Sequence, residues 1–140
     1  MTIHLAATDT EIRRCFPVVK QLRPHLEEAE FVSRVRRQRD VCGYALAFLE
    51  DQGQIKTVAG FRLAENLCDG KYLYVDDLVT DARARSHGYG DRLFDWLVEY
   101  ARQHHCQVLQ LDSGVQRFEA HRFYLRKRMK ISSHRFALEL

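Results

Sequence analysis

The chain has 140 residues, of which 46% are hydrophobic and 29% are charged, with a formal net charge of +3. This composition excludes a disordered chain and a membrane protein, and the length suits a single domain, 1–140, with one buried core. The net charge is too small to require a nucleic-acid partner. The N-terminus lacks the pattern of a signal peptide, so we expect a cytoplasmic protein.

The first third of the chain predicts one strand and two helices. Ile3 begins a short strand, and Thr8 and Glu11 have the spacing of a capping box at a helix start. Apolar side chains then recur at helical spacing up to the Arg-Pro pair at 23–24, which ends the element. A second amphipathic helix is predicted over 27–38.

The middle of the chain predicts a sheet. Residues 43–49 and 55–63 are rich in β-branched and aromatic side chains on either side of the polar turn 51–54, which indicates an antiparallel hairpin. A third strand, 72–80, leads through a glycine-bearing loop into a helix, 91–105, that has a wide apolar stripe.

The end of the chain predicts three further elements. A short strand at 107–112 precedes a helix at 117–129, and a last strand is expected at 131–140. The order of strands and helices indicates an α/β fold.

The glycine-bearing loop is the strongest candidate for a binding site. A strand that enters a helix through such a loop leaves backbone N–H groups unpaired at the helix N-terminus, which favours an anion. Gly88 and Gly90 lack Cβ atoms and permit a close approach to the main chain, and Arg85 adds a permanent positive charge. A lone G-x-G pattern is also compatible with a plain turn that binds nothing.

Two segments resemble one family. The strand Val75–Thr80, a four-residue spacer and R-x-x-G-x-G resemble the strand and pyrophosphate loop of the GNAT superfamily of acyl-CoA-dependent N-acetyltransferases. Ala120-x-x-Phe123-Tyr124, followed by a strand-like run, resembles the A-x-x-F-Y-x-x-x-G-F segment of that family. The resemblance implies a single-domain GNAT-like fold. Its mixed, mainly antiparallel sheet is flanked by helices and splayed between strands 72–80 and 107–112.

The resemblance also implies acetyl-CoA as co-substrate, held mostly by backbone groups. The residues expected at the pyrophosphate are Arg85, Ser86, His87, Gly88, Tyr89, Gly90 and Asp91. The main chain of Leu78, Val79 and Thr80 is expected to pair with the pantetheine arm as an added strand would.

The implied catalytic residues are Tyr124 and Asp76. Tyr124 matches the family tyrosine that protonates the leaving thiolate, and Asp76 matches a position that carries a base acting directly or through water. Asp77 is a further candidate for holding the acceptor, although in a regular strand it faces away from Asp76. Without the resemblance, the residues favour a packed aromatic ring for Tyr124, and they are equally compatible with exposed strand-end charges at Asp76 and Asp77.

The sequence departs from the family pattern at the second segment. Arg117 stands where many members carry an Asn that touches the cofactor, and Arg128-Met129 replaces the usual Gly-Phe. We therefore expect the turn after this helix to be built differently.

The predicted function is acetyl transfer from acetyl-CoA to a primary amine by direct attack in a ternary complex. The acceptor is open between a small molecule and a lysine or N-terminal amine, and a homodimer is left open. The acidic residues Glu50, Asp51, Asp76 and Asp77 favour a cationic acceptor. No metal is expected, because the side chains of His104, His105 and Cys106 are consecutive and diverge.

Two alternatives compete with this function. The basic segment 117–135 would suit a non-catalytic nucleic-acid-binding module. A dinucleotide-binding unit would place its ribose-binding acid at Asp112, but Leu93 occupies the position of the third glycine and too few residues follow for a doubly wound sheet.

Overall fold

A computed structural model describes every residue from Met1 to Leu140. The chain divides into two compact units, Met1–Gln110 and Leu111–Leu140. The first unit contains a five-stranded sheet and three helices, and the second contains the fourth helix.

The elements agree in type and order with the sequence pattern as far as the fourth helix. They are β1 (Thr2–Leu5), α1 (Asp9–Leu22), α2 (Glu28–Cys42), β2 (Ala45–Asp51), β3 (Gln54–Asn66), β4 (Gly70–Thr80), α3 (Tyr89–Gln103), β5 (Val108–Gln110) and α4 (Phe118–Arg126). A short 3-10 turn at Ala82–Ala84 follows β4.

The ends of the first two helices have clear local causes. The Thr8 side chain accepts a hydrogen bond from the Glu11 N–H (3.2 Å), and the Glu11 carboxylate accepts one from the Ala7 N–H (2.7 Å), which confirms a cap at the start of α1. The second helix extends beyond its predicted end to Cys42, because Gly43 then takes the left-handed conformation (φ 71°) that terminates helices.

The sheet has the strand order β1-β2-β3-β4-β5. The first four strands pair antiparallel with their neighbours, and β5 pairs parallel with β4. The expected mixed, mainly antiparallel sheet is confirmed, and a doubly wound parallel sheet is excluded.

The sheet is splayed where β4 meets β5. The two strands pair only from Tyr72 to Tyr74 on β4, opposite Val108 to Gln110, whereas β4 continues to Thr80. The edge of β4 from Val75 onward therefore has no strand partner on this side, as the resemblance implied.

Helices cover both faces of the sheet. On one face Val58 of β3 packs in a buried cluster with Ile12 of α1 and Phe31 of α2. On the other face Phe61 packs edge-on against Trp96 and Tyr100 of α3, with ring centroids 6.3 and 5.2 Å apart. Side chains three positions apart on a strand point to opposite faces, so β3 lies between two apolar layers.

The second unit differs from the prediction. Its helix ends at Arg126, and Arg128 adopts the left-handed conformation (φ 66°) that the usual glycine favours. The turn is made without a glycine at this position.

The predicted last strand, 131–140, is not formed. All ten residues are exposed, including Phe136 at 94%, and none takes part in a strand ladder. Alternating apolar residues favour a strand, but a strand exists only where another strand satisfies its backbone groups. β5 is consequently an edge strand, since the sheet ends there.

None of the helices has the length and apolar character needed to cross a bilayer.

We predict that Gly60→Ala destabilises the first unit. A Cβ at this position would lie 2.5 Å from Cζ of Tyr44 and closer still to its hydroxyl, so the buried ring must move. Overpacking of this kind costs about 1–3 kcal/mol, which urea unfolding would measure.

The matched control is Tyr44→Phe, made in both backgrounds. It should be destabilising in the wild type by about 1 kcal/mol, because it removes a buried hydrogen bond. It should cost less in the Gly60→Ala protein, because it also removes the closest clashing atom. Equal costs in the two backgrounds would show that Tyr44 is not what the new methyl group meets.

Candidate active site

The start of α3 differs from the prediction by two residues. The helix begins at Tyr89 rather than Asp91, and Gly88 is its N-cap residue with φ 79°. The N–H of Arg92 makes the first helical hydrogen bond, to the Gly88 carbonyl (3.1 Å), and no side chain caps the helix. The backbone N–H groups of the first turn and the positive end of the helix dipole therefore form an anion-binding position.

The two glycines of the loop have different physical roles. Gly88 has a left-handed backbone, and a Cβ added to it would meet nothing within 4 Å. Gly90 has a helical backbone, and its Cβ would lie 3.1 Å from the Thr80 hydroxyl. Gly88 thus leaves open space at the helix N-terminus, whereas Gly90 lets the helix start pack against the end of β4. From the sequence we expected one role for both glycines, a close approach of a ligand to the main chain, and this does not describe Gly90.

The side chains of the loop divide into free and engaged groups. Arg85 and Ser86 are exposed, and Arg85 forms no ion pair. The His87 ring is held by its own loop, with Nδ1 2.7 Å from the Arg85 carbonyl, and it stacks on Tyr89. Tyr89 donates to Asp51 (2.8 Å), which raises the pKa of the Tyr89 hydroxyl. Arg85 is therefore the loop cation available to an anion.

The open edge of β4 continues directly into this loop. Leu78, Val79 and Thr80 pair with β3 on one side and have no strand on the other. The buried hydroxyl of Thr57 donates to the Val79 carbonyl (2.9 Å). The Val79 carbonyl therefore points toward β3, and its neighbours Leu78 and Thr80 turn their main-chain groups toward the open edge, because the direction of these groups alternates along an antiparallel strand.

A β-bulge lies in the middle of β4. Gly60 of β3 pairs with Asp77, and Phe61 pairs with Val75, so Asp76 is an extra residue with no partner of its own. Bulges break the regular alternation of faces. Our expectation that Asp76 and Asp77 face opposite sides is therefore wrong.

The two carboxylates lie on the same face and each has its own arginine. Asp76 accepts from Nε and Nη2 of Arg62 (2.8 and 2.9 Å), and Asp77 accepts from Nε of Arg23 (2.8 Å). Arg23 also donates to the Asp76 carbonyl (2.9 Å), and the Tyr44 hydroxyl donates to Asp77 (2.7 Å). The hydrogen bond with Asp76 raises the pKa of Arg62, so this guanidinium remains charged.

Tyr44 supports the floor of this arrangement. Its ring is only 5% exposed, and burial together with the Asp77 carboxylate raises the pKa of its hydroxyl well above the usual range. The hydroxyl is therefore a permanent donor at neutral pH. It occupies the space that the missing Cβ of Gly60 leaves free.

A pocket of about 100 Å³ opens above Asp77 and Tyr44, between α1 and α2. Its lining includes both apolar and polar side chains. The lining residues are Val19, Arg23, His25, Leu26, Phe31, Arg34, Val35, Gln38, Tyr44 and Asp77. The pocket reaches the same β4 segment whose other edge is open.

The acidic residues proposed to attract a cationic acceptor are all compensated. Besides the two aspartates of β4, Glu50 pairs with Arg14. Asp51 accepts from Tyr89 and lies 3.7 Å from the N-terminal ammonium. None of them remains as an uncompensated negative charge, so their number in the sequence does not predict the charge of the acceptor.

In the second unit, Tyr124 is half-buried on α4, edge-on to Phe123. Burial raises the pKa of the Tyr124 hydroxyl, and the guanidinium of Arg117 opposes this shift. The hydroxyl therefore holds its proton at neutral pH, as a general acid must. Arg117, the departure from the family pattern, lies beside this hydroxyl.

Several histidines are engaged in local hydrogen bonds. His104 Nδ1 lies 2.8 Å from the Tyr100 carbonyl, and His121 Nε2 lies 2.8 Å from the Gly114 carbonyl. No three His, Cys, Asp or Glu side chains come together in a way that could hold a metal ion.

Sequence reasoning missed Tyr44, Arg23 and Arg62. Tyr44 and Arg23 lie 33 and 54 residues from Asp77, so no local pattern connects them. Gly60 was an available signal, because a glycine inside a strand often marks a bulge or the close approach of another group.

Comparison with known proteins identifies the family. Residues 5–129 match the Acetyltransferase (GNAT) family. An uncharacterized N-acetyltransferase, YhdJ of Bacillus subtilis (strain 168), is 33% identical over 112 residues, which cover 80% of this chain and 79% of that protein. The aminoalkylphosphonate N-acetyltransferase of Salmonella typhimurium is 36% identical over 66 residues, 47% of this chain and 43% of that protein.

The fold agrees with this assignment. The structure of an aminoglycoside N-acetyltransferase in complex with CoA superposes with a TM-score of 0.84 and 11% identity, covering 99% of this chain and 95% of the other. The family match favours acetyl transfer over the alternative of a nucleic-acid-binding module. The chain therefore belongs to the GNAT family of acetyltransferases.

Proposed function

We propose that this protein transfers an acetyl group from acetyl-CoA to the primary amine of a small molecule, by direct attack in a ternary complex. The observation that carries this proposal is the continuity of two backbone features. The open edge of β4 ends at Thr80, and the uncapped first turn of α3 begins at Tyr89. In CoA, an extended arm that carries amide groups is followed by a diphosphate. The arm matches the open edge of β4, and the diphosphate matches the first turn of α3.

Under this proposal the cofactor is bound by main chain and one free cation. The pantetheine arm pairs with Leu78, Val79 and Thr80, and the pyrophosphate lies against the N–H groups around Gly88 with Arg85 beside it. The remaining loop residues in this role are Ser86, His87, Tyr89, Gly90 and Asp91. A structure of the same fold is a complex with CoA, which supports the choice of this cofactor.

The proposed chemistry uses Asp76 and Tyr124. Asp76 is held as a charged carboxylate by Arg62, and each oxygen retains a lone pair for a water that accepts the amine proton. The free amine attacks the thioester carbonyl, and Tyr124 gives its proton to the thiolate that departs. Asp77 and Tyr44 position the acceptor from the pocket floor.

A small acceptor is favoured over a protein. The pocket of about 100 Å³ is far below the usual size of sites for drug-sized ligands, about 300–1,000 Å³. The Salmonella typhimurium relative is named for an aminoalkylphosphonate, which is also a small amine.

The cysteines form no disulfide, which suits a reaction in the reducing cytoplasm.

We predict that Gly88→Val weakens CoA binding by about tenfold or more, because its Cβ projects into the space where the phosphate approaches. Calorimetric titration with CoA would measure this. Gly53→Val is the matched control, since Gly53 has a similar backbone (φ 72°) and open surroundings but lies in the β2–β3 turn. Equal CoA affinity for the two folded variants would contradict the proposed phosphate position.

We predict that Tyr124→Phe lowers kcat by about 100-fold with little change in CoA affinity. The substitution keeps the ring that packs on Phe123 and removes only the hydroxyl. Steady-state kinetics with a saturating amine would measure the effect. A wild-type kcat would assign Tyr124 a packing role instead.

We predict that Asp76→Asn shifts the acidic limb of the pH–rate profile, because a base must be deprotonated before it accepts the amine proton. Asp77→Asn is the adjacent control, and it should raise the KM for the amine while leaving that limb in place. If the acidic limb is the same in wild type and Asp76→Asn, another group is the base.

A further inference from the structure

The pocket between α1 and α2 has an excess of positive charge. Arg23 and Arg34 line it, and Asp77 is the one carboxylate among its lining residues. Asp77 is already engaged twice, by Arg23 and by the Tyr44 hydroxyl. The two guanidinium groups and one carboxylate leave a surplus of one positive charge.

Arg34 supplies that surplus. It forms no ion pair and no side-chain hydrogen bond, although it lies between the charged residues of α2. Glu30, one helical turn earlier, does not pair with it, and neither Glu30 nor any other glutamate lines the pocket. Arg23, in contrast, uses Nε and Nη2 on β4. Arg34 is therefore a guanidinium at the pocket with all its donors available.

The other lining residues restrict what can enter. Val19, Leu26, Phe31 and Val35 form an apolar wall, and the volume of about 100 Å³ admits a short chain rather than a large ring system. A simple alkylamine would use this wall but would bring a cation beside the uncompensated arginine. A diamine would bring two cations. Both are disfavoured by like-charge repulsion in a partly desolvated site.

We propose that the acceptor is a compact amine that also carries an anionic group, which Arg34 binds while the amine lies toward Asp77. This inference rests on the proposed function and narrows its substrate class. In the reaction the amine nitrogen forms a bond to the acetyl carbon, the C–S bond breaks, and the ammonium proton is lost to the base. The thiolate is protonated to CoA thiol, and the anionic group keeps its charge and serves only for binding.

The test compares four short amines with acetyl-CoA at saturation. These are propylamine, 1,3-diaminopropane, 3-aminopropanoate and 2-aminoethylphosphonate. We expect kcat/KM to be highest for 3-aminopropanoate and 2-aminoethylphosphonate, which carry an anionic group. The ratio of their two kcat/KM values shows whether a carboxylate or a phosphonate is preferred. If propylamine or the diamine is the better substrate, the inference is overturned while acetyl transfer to amines stands.

The variant Arg34→Ala tests the role of Arg34 in binding the anionic group, and Arg37→Ala is the control. Arg37 lies on the same helix, is exposed and does not line this pocket. Arg34→Ala should raise KM for the preferred anionic amine by about 10- to 100-fold, the scale of a lost charge-assisted hydrogen bond, and leave propylamine unaffected. Arg37→Ala should change neither. Equal losses for both amines, or for both variants, would overturn the role of Arg34.

Two further outcomes separate this inference from the proposed function. If calorimetry shows CoA binding but neither anionic amine is acetylated, the inference is wrong and the proposed function keeps its support. If CoA does not bind, the proposed function itself fails. Arg34→Glu adds a direct check, because the reversed charge should shift the preference from the anionic amines toward 1,3-diaminopropane.

Discussion

The site depends on the backbone groups that β4 leaves without a strand partner. Buried N–H and C=O groups require hydrogen bonds, and a strand in the interior of a sheet normally obtains them from both neighbours. In this sheet β5 pairs with β4 only as far as Tyr74, so the segment Val75–Thr80 has one occupied edge and one available edge. A ligand that carries amide groups can complete the ladder without any change in the fold. Side-chain identity then matters little at these positions.

The charges around β4 serve first to hold the structure. Asp76 and Asp77 are each matched by an arginine from a different element, Arg62 of β3 and Arg23 at the end of α1. Removal of either cation would leave a partly buried carboxylate without a compensating positive charge, which is costly. These two carboxylates are therefore compensated by cations within the fold. The charge without a partner at the pocket is that of Arg34 on α2.

Much of the fold follows from local sequence patterns. The cap at Thr8, the hairpin at 51–54 and the stripe of α3 each have short-range causes, and the loop from Arg85 to Gly90 carries enough spacing to indicate its family. The bulge does not follow, because it depends on the register between Gly60 and Asp77, which no local pattern sets. The prediction of a strand over 131–140 was wrong for a related reason. Alternating apolar side chains show that a segment can form a strand, but they do not show that a partner strand is present.

The same limit applies to the site residues. The aspartates could be chosen from their position before the loop, but their partners Tyr44, Arg23 and Arg62 come from three other places in the chain. The charge of the pocket between α1 and α2 depends on those pairings. A count of acidic residues predicted a cationic acceptor, whereas the balance of paired and unpaired groups is the basis of our proposal that the acceptor carries an anionic group.

The bulge has a consequence for how such a site changes during evolution. Gly60 and Phe61 are neighbours on β3, and their partners on β4 are Asp77 and Val75. Without residue 76 these two partners would also be neighbours, and the pairing of the two strands would be regular. A chain that lacked this residue would keep every other pair and the inward or outward direction of each flanking side chain. The Asp76 carboxylate is thus an insertion into a complete ladder. Loss of this one residue would therefore remove both the carboxylate and the bulge and leave the pairing of the flanking residues regular.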